Sequence, residues 1–313
     1  MKLILKNNLS GGYMSDHRYS NDRKDFANYL SGYRLRPNHN LGQNFIYDKG
    51  LLQAMVAEMR LPPTCEIWEI GAGTGNLTAV LAEQFPRVTA IEIDPALARP
   101  LQDRFTSNPK VRLIFGDALK LTAADLANSE EENSIIDNIA VVGNLPYYIS
   151  TKLIEHFLLH FHTALQYSFL VQQEFVDRIL TPAGSKNYGP LNILLDNFTT
   201  IRKGMTLAAT DFMPQPSVSS TLIHIIPQPN SQIDKSTWPD YRNFLHLAFA
   251  QRRKTMHNTY ARLQREYPLL NNTNDLEWLA GVGLKPQIRP EAITPENWLT
   301  LYKTAIGIES MAE

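Results

Sequence analysis

The chain has almost no cysteine. Of 313 residues only Cys65 carries a thiol, so no internal disulfide can form and no set of thiols has zinc-site spacing. Cys65 reads as a buried, idle thiol, and redox chemistry finds no support. Long apolar runs are missing too. None approaches the roughly 20 residues of a membrane-spanning helix, and the opening "MKLILKNNLS" has too short an apolar stretch for a signal peptide. A soluble, cytoplasmic protein is expected. Net charge is only -1, without the basic excess that announces a nucleic-acid binder, and there are no internal repeats or low-complexity tracts. What is abundant is apolar material: 43% of the residues, enough for one large domain and a smaller one.

The near-neutral total conceals local bias. Residues 1–40 carry Lys2, Lys6, Arg18, Arg23, Lys24, Arg34 and Arg36 against Asp16, Asp22 and Asp25. The stretch "QRRKTMHNTYARLQR" (251–265) has five basic side chains and no acid, which fits either a solvated helix face or a phosphate-binding surface. The acidic "SEEEN" (129–133) reads as a surface loop.

Along the chain, residues 1–36 look polar and weakly periodic and are expected to form an N-terminal extension. From 37 to 230 short β-rich runs alternate with helical patterns, the signature of an α/β domain whose parallel sheet is covered on both faces. Strands are predicted at 65–70, 87–94, 111–117, 138–144, 166–173, around 198–207 and at 219–227, with helices at 77–85, 95–105 and 150–161. The proline-rich "PQPN" (227–230) breaks this pattern and marks the expected boundary to a small helical domain, 231–313. There, 241–264 and 276–284 read as helices, and Thr294 before Pro295 and Glu296 is an ordinary helix start.

Three successive strand ends carry groups suited to a nucleoside. "EIGAGTGNLT" (69–78) places a glycine turn between a strand and a helix, where Gly71 and Gly73 allow close backbone approach. Its G-x-G-x-G spacing is not the dinucleotide fingerprint, which counts against a pyrophosphate ligand. Glu92, about twenty residues on, stands where a carboxylate accepts ribose hydroxyls, and Asp117 in "FGDAL" can accept from an adenine amine. The ordered set resembles the S-adenosylmethionine site of Rossmann-like class I methyltransferases. No metal-ligand pattern is seen.

The fourth strand ends in "NLPY", and such tetrads resemble those of enzymes that methylate exocyclic amino nitrogens. An adenine N6 lone pair is delocalised into its ring and is a poor nucleophile. Acceptance of its protons by the Asn144 side-chain oxygen and the Leu145 carbonyl lets the nitrogen pyramidalise. Pro146 stiffens the turn and Tyr147 offers a stacking face, while Tyr148 reads as packing.

The resemblance then narrows. "LGQNFIYD" (41–48), "EIGAGTGNLT", "NLPYYIS" (144–150), "NYGPLNILL" (187–195), "FMPQPSVSS" (212–220) and "FAQRRKTMHN" (249–258) are similar, in order, to the motifs of the ribosomal RNA adenine dimethylases. That family dimethylates N6 of two adjacent adenosines in the 3′-terminal hairpin loop of small-subunit (16S) rRNA. The resemblance implies a monomeric enzyme acting on the immature small ribosomal subunit. By motif it gives Gln43, Asn44, Ile46, Gly71, Gly73, Glu92, Asp117 and Asn144 to the cofactor. Phe212 would face Tyr147 across a flipped base, and Arg252, Arg253 and Lys254 would meet RNA phosphates. Pro190 after "YG" and the "PSVSS" segment depart from the usual pattern and bear on RNA contacts. A large-subunit rRNA methylase of the antibiotic-resistance type and a mainly non-catalytic assembly factor are the alternative readings.

Overall fold

A computed structural model of the chain describes residues 22–126, 138–161, 163–228 and 232–308. The acidic stretch 129–133 and residues 1–21 lie outside these. Helix α1 (Arg23–Gly32) precedes a short strand β1 (Phe45–Ile46) and helix α2 (Lys49–Met59). Strand and helix then alternate through β2 (Glu66–Ile70), α3 (Asn76–Gln84), β3 (Arg87–Glu92), α4 (Ala98–Phe105), β4 (Val111–Phe115), the single turn α5 (Ala123–Leu126), β5 (Ile139–Asn144), α6 (Ser150–His160) and β6 (Gln166–Gln172). Helices α7 (Gln173–Ile179) and α8 (Pro190–Phe198) lead to β7 (Thr199–Leu207), β8 (Phe212–Met213) and β9 (Ser220–Pro227). After these come α9 (Trp238–Phe249), α10 (Met256–Glu266), α11 (Asp275–Ala280) and α12 (Pro295–Ala305). Among the described residues no helix is long and apolar enough to cross a membrane.

The chain divides into two compact units. The first holds the residues up to Gln173 together with Arg202–Ile226. Its seven-stranded sheet has the order β4-β3-β2-β5-β6-β9-β7. β2, β3, β4, β5 and β6 run parallel, and β9 is antiparallel to β6. Because helices cover both faces, β2, β5 and β6 are buried almost throughout and read as continuous apolar runs rather than alternating ones. Ile67, Ala140, Val142 and Leu170 face a core shared with α2 and α3. On the opposite face Trp68 meets Phe161 edge-on, 5.3 Å between ring centroids.

The strand order reverses between β2 and β5, so a crevice opens beyond their carboxyl ends. Gly143 lets those two ends lie side by side. A Cβ there would stand 2.5 Å from the Ile70 carbonyl oxygen.

Three expectations from the sequence are corrected. The part of the N-terminal extension that is described contains α1, capped by the Asp22 carboxylate, which accepts from Lys24 N–H. Its Phe26 and Leu30 are buried in a cluster with Phe45, Leu101 and Phe105. The signal was weak because only these two apolar positions of the helix are buried, and their partners lie far along the chain.

The second unit takes Glu174–Ile201 as well as Pro227 onward, so the boundary expected at 230 captures only its later part. Helix α8 belongs with the C-terminal helices because its apolar side chains are buried against them. Phe198 stacks on Trp238 with 4.1 Å between centroids, and Asn197 donates to the Tyr241 hydroxyl and the Pro295 carbonyl. Pro190 is the first residue of α8, where a missing N–H costs nothing and a fixed φ favours the helix. The helix expected across 241–264 is broken at 250–255, and α10 starts afresh after Thr255 in extended conformation.

Phe26→Ala is expected to lower stability to denaturant by about 3 kcal/mol, the low end for loss of a buried aromatic ring. An unaltered unfolding midpoint would return this segment to a loose arm.

Candidate active site

The carboxyl ends of β2, β3 and β5 frame an open cleft, at the switch point where open α/β sheets bind ligands. Gln43, Asn44, Ile46, Gly71, Gly73, Glu92, Asn144 and Pro146 all line it, joined by Glu69, Asn76 and Ile93. Eight of the residues named from sequence thus converge on one place in the first unit.

Its floor is the glycine turn after β2. Gly71 and Ala72 donate their N–H groups to the Ile91 carbonyl, which ties the turn to β3. Gly73 has φ +60, and a Cβ there would meet the Phe45 ring at 3.0 Å. The position therefore needs glycine for backbone conformation and for space. Its N–H donates to Glu92 Oε2 at 2.7 Å, and Asp94 N–H donates to Oε1 at 2.8 Å. Burial raises the Glu92 pKa above its ordinary value, and these two donors act against that rise. Beside it Ile93 is 49% exposed although apolar, and it offers the cleft a greasy wall next to a polar acceptor.

The other side is the loop before β1. Gln43 is held at both ends of its carboxamide: Oε1 accepts from Asn38 N–H, and Nε2 donates to Asp94 Oδ2 at 2.7 Å. It positions the loop over the cleft. The Ile46 carbonyl accepts from Asn76 Nδ2 at 2.7 Å, and Arg104 donates to Asn76 Oδ1 at 2.9 Å. Asn44 uses its carbonyl to accept from Asn144 Nδ2 at 2.8 Å. That bond orients the Asn144 amide: with its nitrogen committed to Asn44, its oxygen is the end left as an acceptor.

Several named residues stand outside the cleft lining. Asp117 lies two residues beyond β4, and its Oδ1 accepts from Leu119 N–H to cap the following turn. Leu145 is buried, with its N–H on the Leu170 carbonyl. Tyr147 sits just past Pro146, half-buried, its hydroxyl 3.0 Å from Ser220 Oγ. Ser220 belongs to the atypical "PSVSS" segment, so that segment anchors a ring of the tetrad.

Phe212 is a correction. Expected as a stacking wall, it is 0% exposed and packs in the core with Leu52, Leu170 and Leu222. Strand pairing of Ile46 with Phe212 puts it beneath the cleft as support. Tyr148, read as packing, is instead 60% exposed.

The basic motif is corrected in part. In the second unit Arg252 Nη2 donates to the Lys186 and Tyr188 carbonyls at 2.7 and 2.6 Å and lies 3.6 Å from Glu291. This guanidinium holds the turn before α8 through Nη2. Arg253 and Lys254 are exposed.

Glu69 was missed from sequence. It lies two residues before Gly71, on β2, and is almost fully buried. A second acid three residues after Glu66, at the buried end of a strand that leads into a glycine turn, is the signal that would have found it. The Thr78 hydroxyl donates to it, but burial dominates and pushes its pKa up to about 8. Among the described residues no cluster of His, Cys, Asp or Glu could hold a metal ion.

The sequence pattern described as ribosomal RNA adenine dimethylase matches residues 34–295. The chain belongs to the ribosomal RNA adenine dimethylase family. It is 30% identical over 274 residues to the ribosomal RNA small subunit methyltransferase A of Staphylococcus epidermidis, covering 88% of this chain and 92% of the relative. The protein of the same name in Bacillus cereus is 31% identical over 293 residues, covering 94% and 98%. In fold it is similar to the crystal structure of a dimethyladenosine transferase from Plasmodium falciparum, with TM-score 0.65 and 24% identity over 83% of this chain and 97% of that one.

As a member of the dimethylase family the chain is a methyltransferase that uses S-adenosylmethionine. The cleft fits that cofactor. Its glycine turn offers close approach without phosphate-binding charge, Glu92 is a carboxylate whose two oxygens are oriented by the Gly73 and Asp94 N–H groups and keep further lone pairs for ribose hydroxyls, and Ile93 gives a face for a base.

Glu69 yields a pH prediction. A folded-state pKa of about 8, up from 4.5, means the folded chain holds a proton that the unfolded chain releases. Stability is therefore fully present below about pH 4.5 and is lost as pH rises towards 8. Glu69→Gln is expected to flatten that decline in unfolding series between pH 5 and 8, whereas an unchanged slope would place Glu69 as an ordinary ionised carboxylate.

Proposed function

We propose that this chain dimethylates N6 of two adjacent adenosines in the 3′-terminal hairpin loop of 16S rRNA, as a cytoplasmic monomer acting during maturation of the small ribosomal subunit. The names of its relatives support an rRNA substrate in the small subunit. The observation that carries the chemistry is the Asn144 amide. Held through its nitrogen by the Asn44 carbonyl, it presents its oxygen at the end of β5, on the edge of the cleft.

S-adenosylmethionine, when bound, supplies the methyl group. The residues of this chain prepare the nucleophile. The Asn144 oxygen and the Leu145 carbonyl accept the two N6 protons, which draws the nitrogen lone pair out of conjugation and aims it into the cleft. Preorganisation matters because an acceptor that had to reorient would lose much of its effect. The buried Leu145 side chain and the Pro146 turn hold both acceptors in place. Tyr147, its hydroxyl tied to Ser220, offers a ring for the extruded base. No general base is needed before transfer, since methylation of the neutral amine gives a cationic ammonium that is strongly acidic and releases its proton to water.

With Arg252 bound to backbone carbonyls, phosphate contact falls to Arg253 and Lys254. Double substitution of these two to alanine is expected to weaken RNA binding and lower its salt slope by about 2, one for each phosphate contact. A slope equal to that of the wild type would make them a solvated surface.

Mass spectrometry of 16S rRNA from a strain lacking the gene tests the whole reading. Dimethyladenosine near the 3′ end should disappear, and its persistence would overturn the proposal. Asn144→Ala should keep cofactor affinity within a few-fold and reduce turnover at least about a hundredfold, the scale for loss of one preorganised polar contact. Equal losses in both would mean that Asn144 chiefly holds the cofactor.

A further inference from the structure

Tyr147 and Tyr148 are neighbours in sequence with opposite environments. The turn after β5 is closed by Ile149 N–H and Ser150 Oγ, both donating to the Pro146 carbonyl at 3.2 and 3.0 Å. It sends the Tyr147 ring toward β9, where its hydroxyl meets Ser220. Tyr148 is 60% exposed, the one aromatic side chain among the described residues that is exposed to that degree. The other large rings of the chain are buried or half-buried, which makes this exception informative. It also stands one residue from the tetrad that meets the target base.

We propose that Tyr148 is a stacking face for the nucleotide next to the target adenosine. This rests on the rRNA adenine reading above and adds a residue to it. Extruding one base from a loop leaves its neighbour without a stacking partner. A tyrosine ring has two torsions to immobilise and a face that any base can cover, so it replaces that partner at small entropic cost. The turn that carries Tyr148 also carries Pro146 and Tyr147, so both faces stand in a set relation to each other. A substrate with two adjacent adenosines then places one in the cleft and the other on Tyr148. Stacking on a neighbour acts equally before and during methyl transfer, so its contribution falls on substrate binding.

The test uses the full chain, immature small ribosomal subunits and S-adenosylmethionine. Tyr148→Ala is expected to raise KM for the subunit about five- to tenfold, the low end for loss of one base stack. kcat, cofactor affinity and thermal stability should match the wild type, and Tyr148→Phe should restore KM because the ring is retained. An unchanged KM in Tyr148→Ala would overturn the proposal, as would a Tyr148→Phe variant as impaired as the alanine one. If the wild-type protein leaves the subunits unmethylated, the function proposed above fails instead. That result is separate from any difference between variants.

Discussion

The hydrogen bond from the Asn144 side-chain nitrogen to the Asn44 carbonyl joins segments a hundred residues apart, and the orientation of the site depends on it. An amide free to flip would present nitrogen or oxygen to the cleft with nearly equal ease. Committing the nitrogen leaves only the oxygen for an exocyclic amine. The bond in turn requires the loop before β1 to be held in place. Gln43 does this by bridging Asn38 and Asp94, and Asn76 does it by donating to the Ile46 carbonyl.

Beneath these contacts lies a constraint of packing. Phe45 fills the space over Gly73, Phe212 fills the space beneath Ile46, and α1 adds Phe26 to the same neighbourhood. The cleft is thus built on aromatic support, of which Phe45 also lines it. The two acids behind it, Glu69 and Glu92, are both buried enough for their pKa values to rise. Burial differs in consequence between them: Glu92 receives two backbone N–H donors, whereas Glu69 has the Thr78 hydroxyl.

The second unit shows how a basic motif divides its labour. Arg252 serves the backbone of the turn before α8, and the neighbouring Arg253 and Lys254 remain exposed. A guanidinium suits the first task because its fork of donors can reach two carbonyls at once. Asp240 plays a comparable role among aromatic side chains, accepting from both Tyr267 and Tyr302 hydroxyls. Polar groups in this unit are therefore spent on fastening an aromatic core.

By itself the sequence determined the α/β class, all seven strands of the main sheet, and the strand-end residues Gly71, Gly73, Glu92 and Asn144. These were legible because buried strands, glycine turns and terminal acids leave local patterns of composition. Tertiary structure alone decided which face each side chain meets. Phe212 and Tyr148 exchange their expected burial, since an aromatic letter does not reveal whether a strand partner covers it. Arg252 turns inward because carbonyls sixty-odd residues earlier are brought within reach. Helix α8 joins the C-terminal helices for a similar reason, as its apolar side chains find Trp238 and its neighbours. Local periodicity shows that a surface must be buried, and only the fold supplies the partner that buries it.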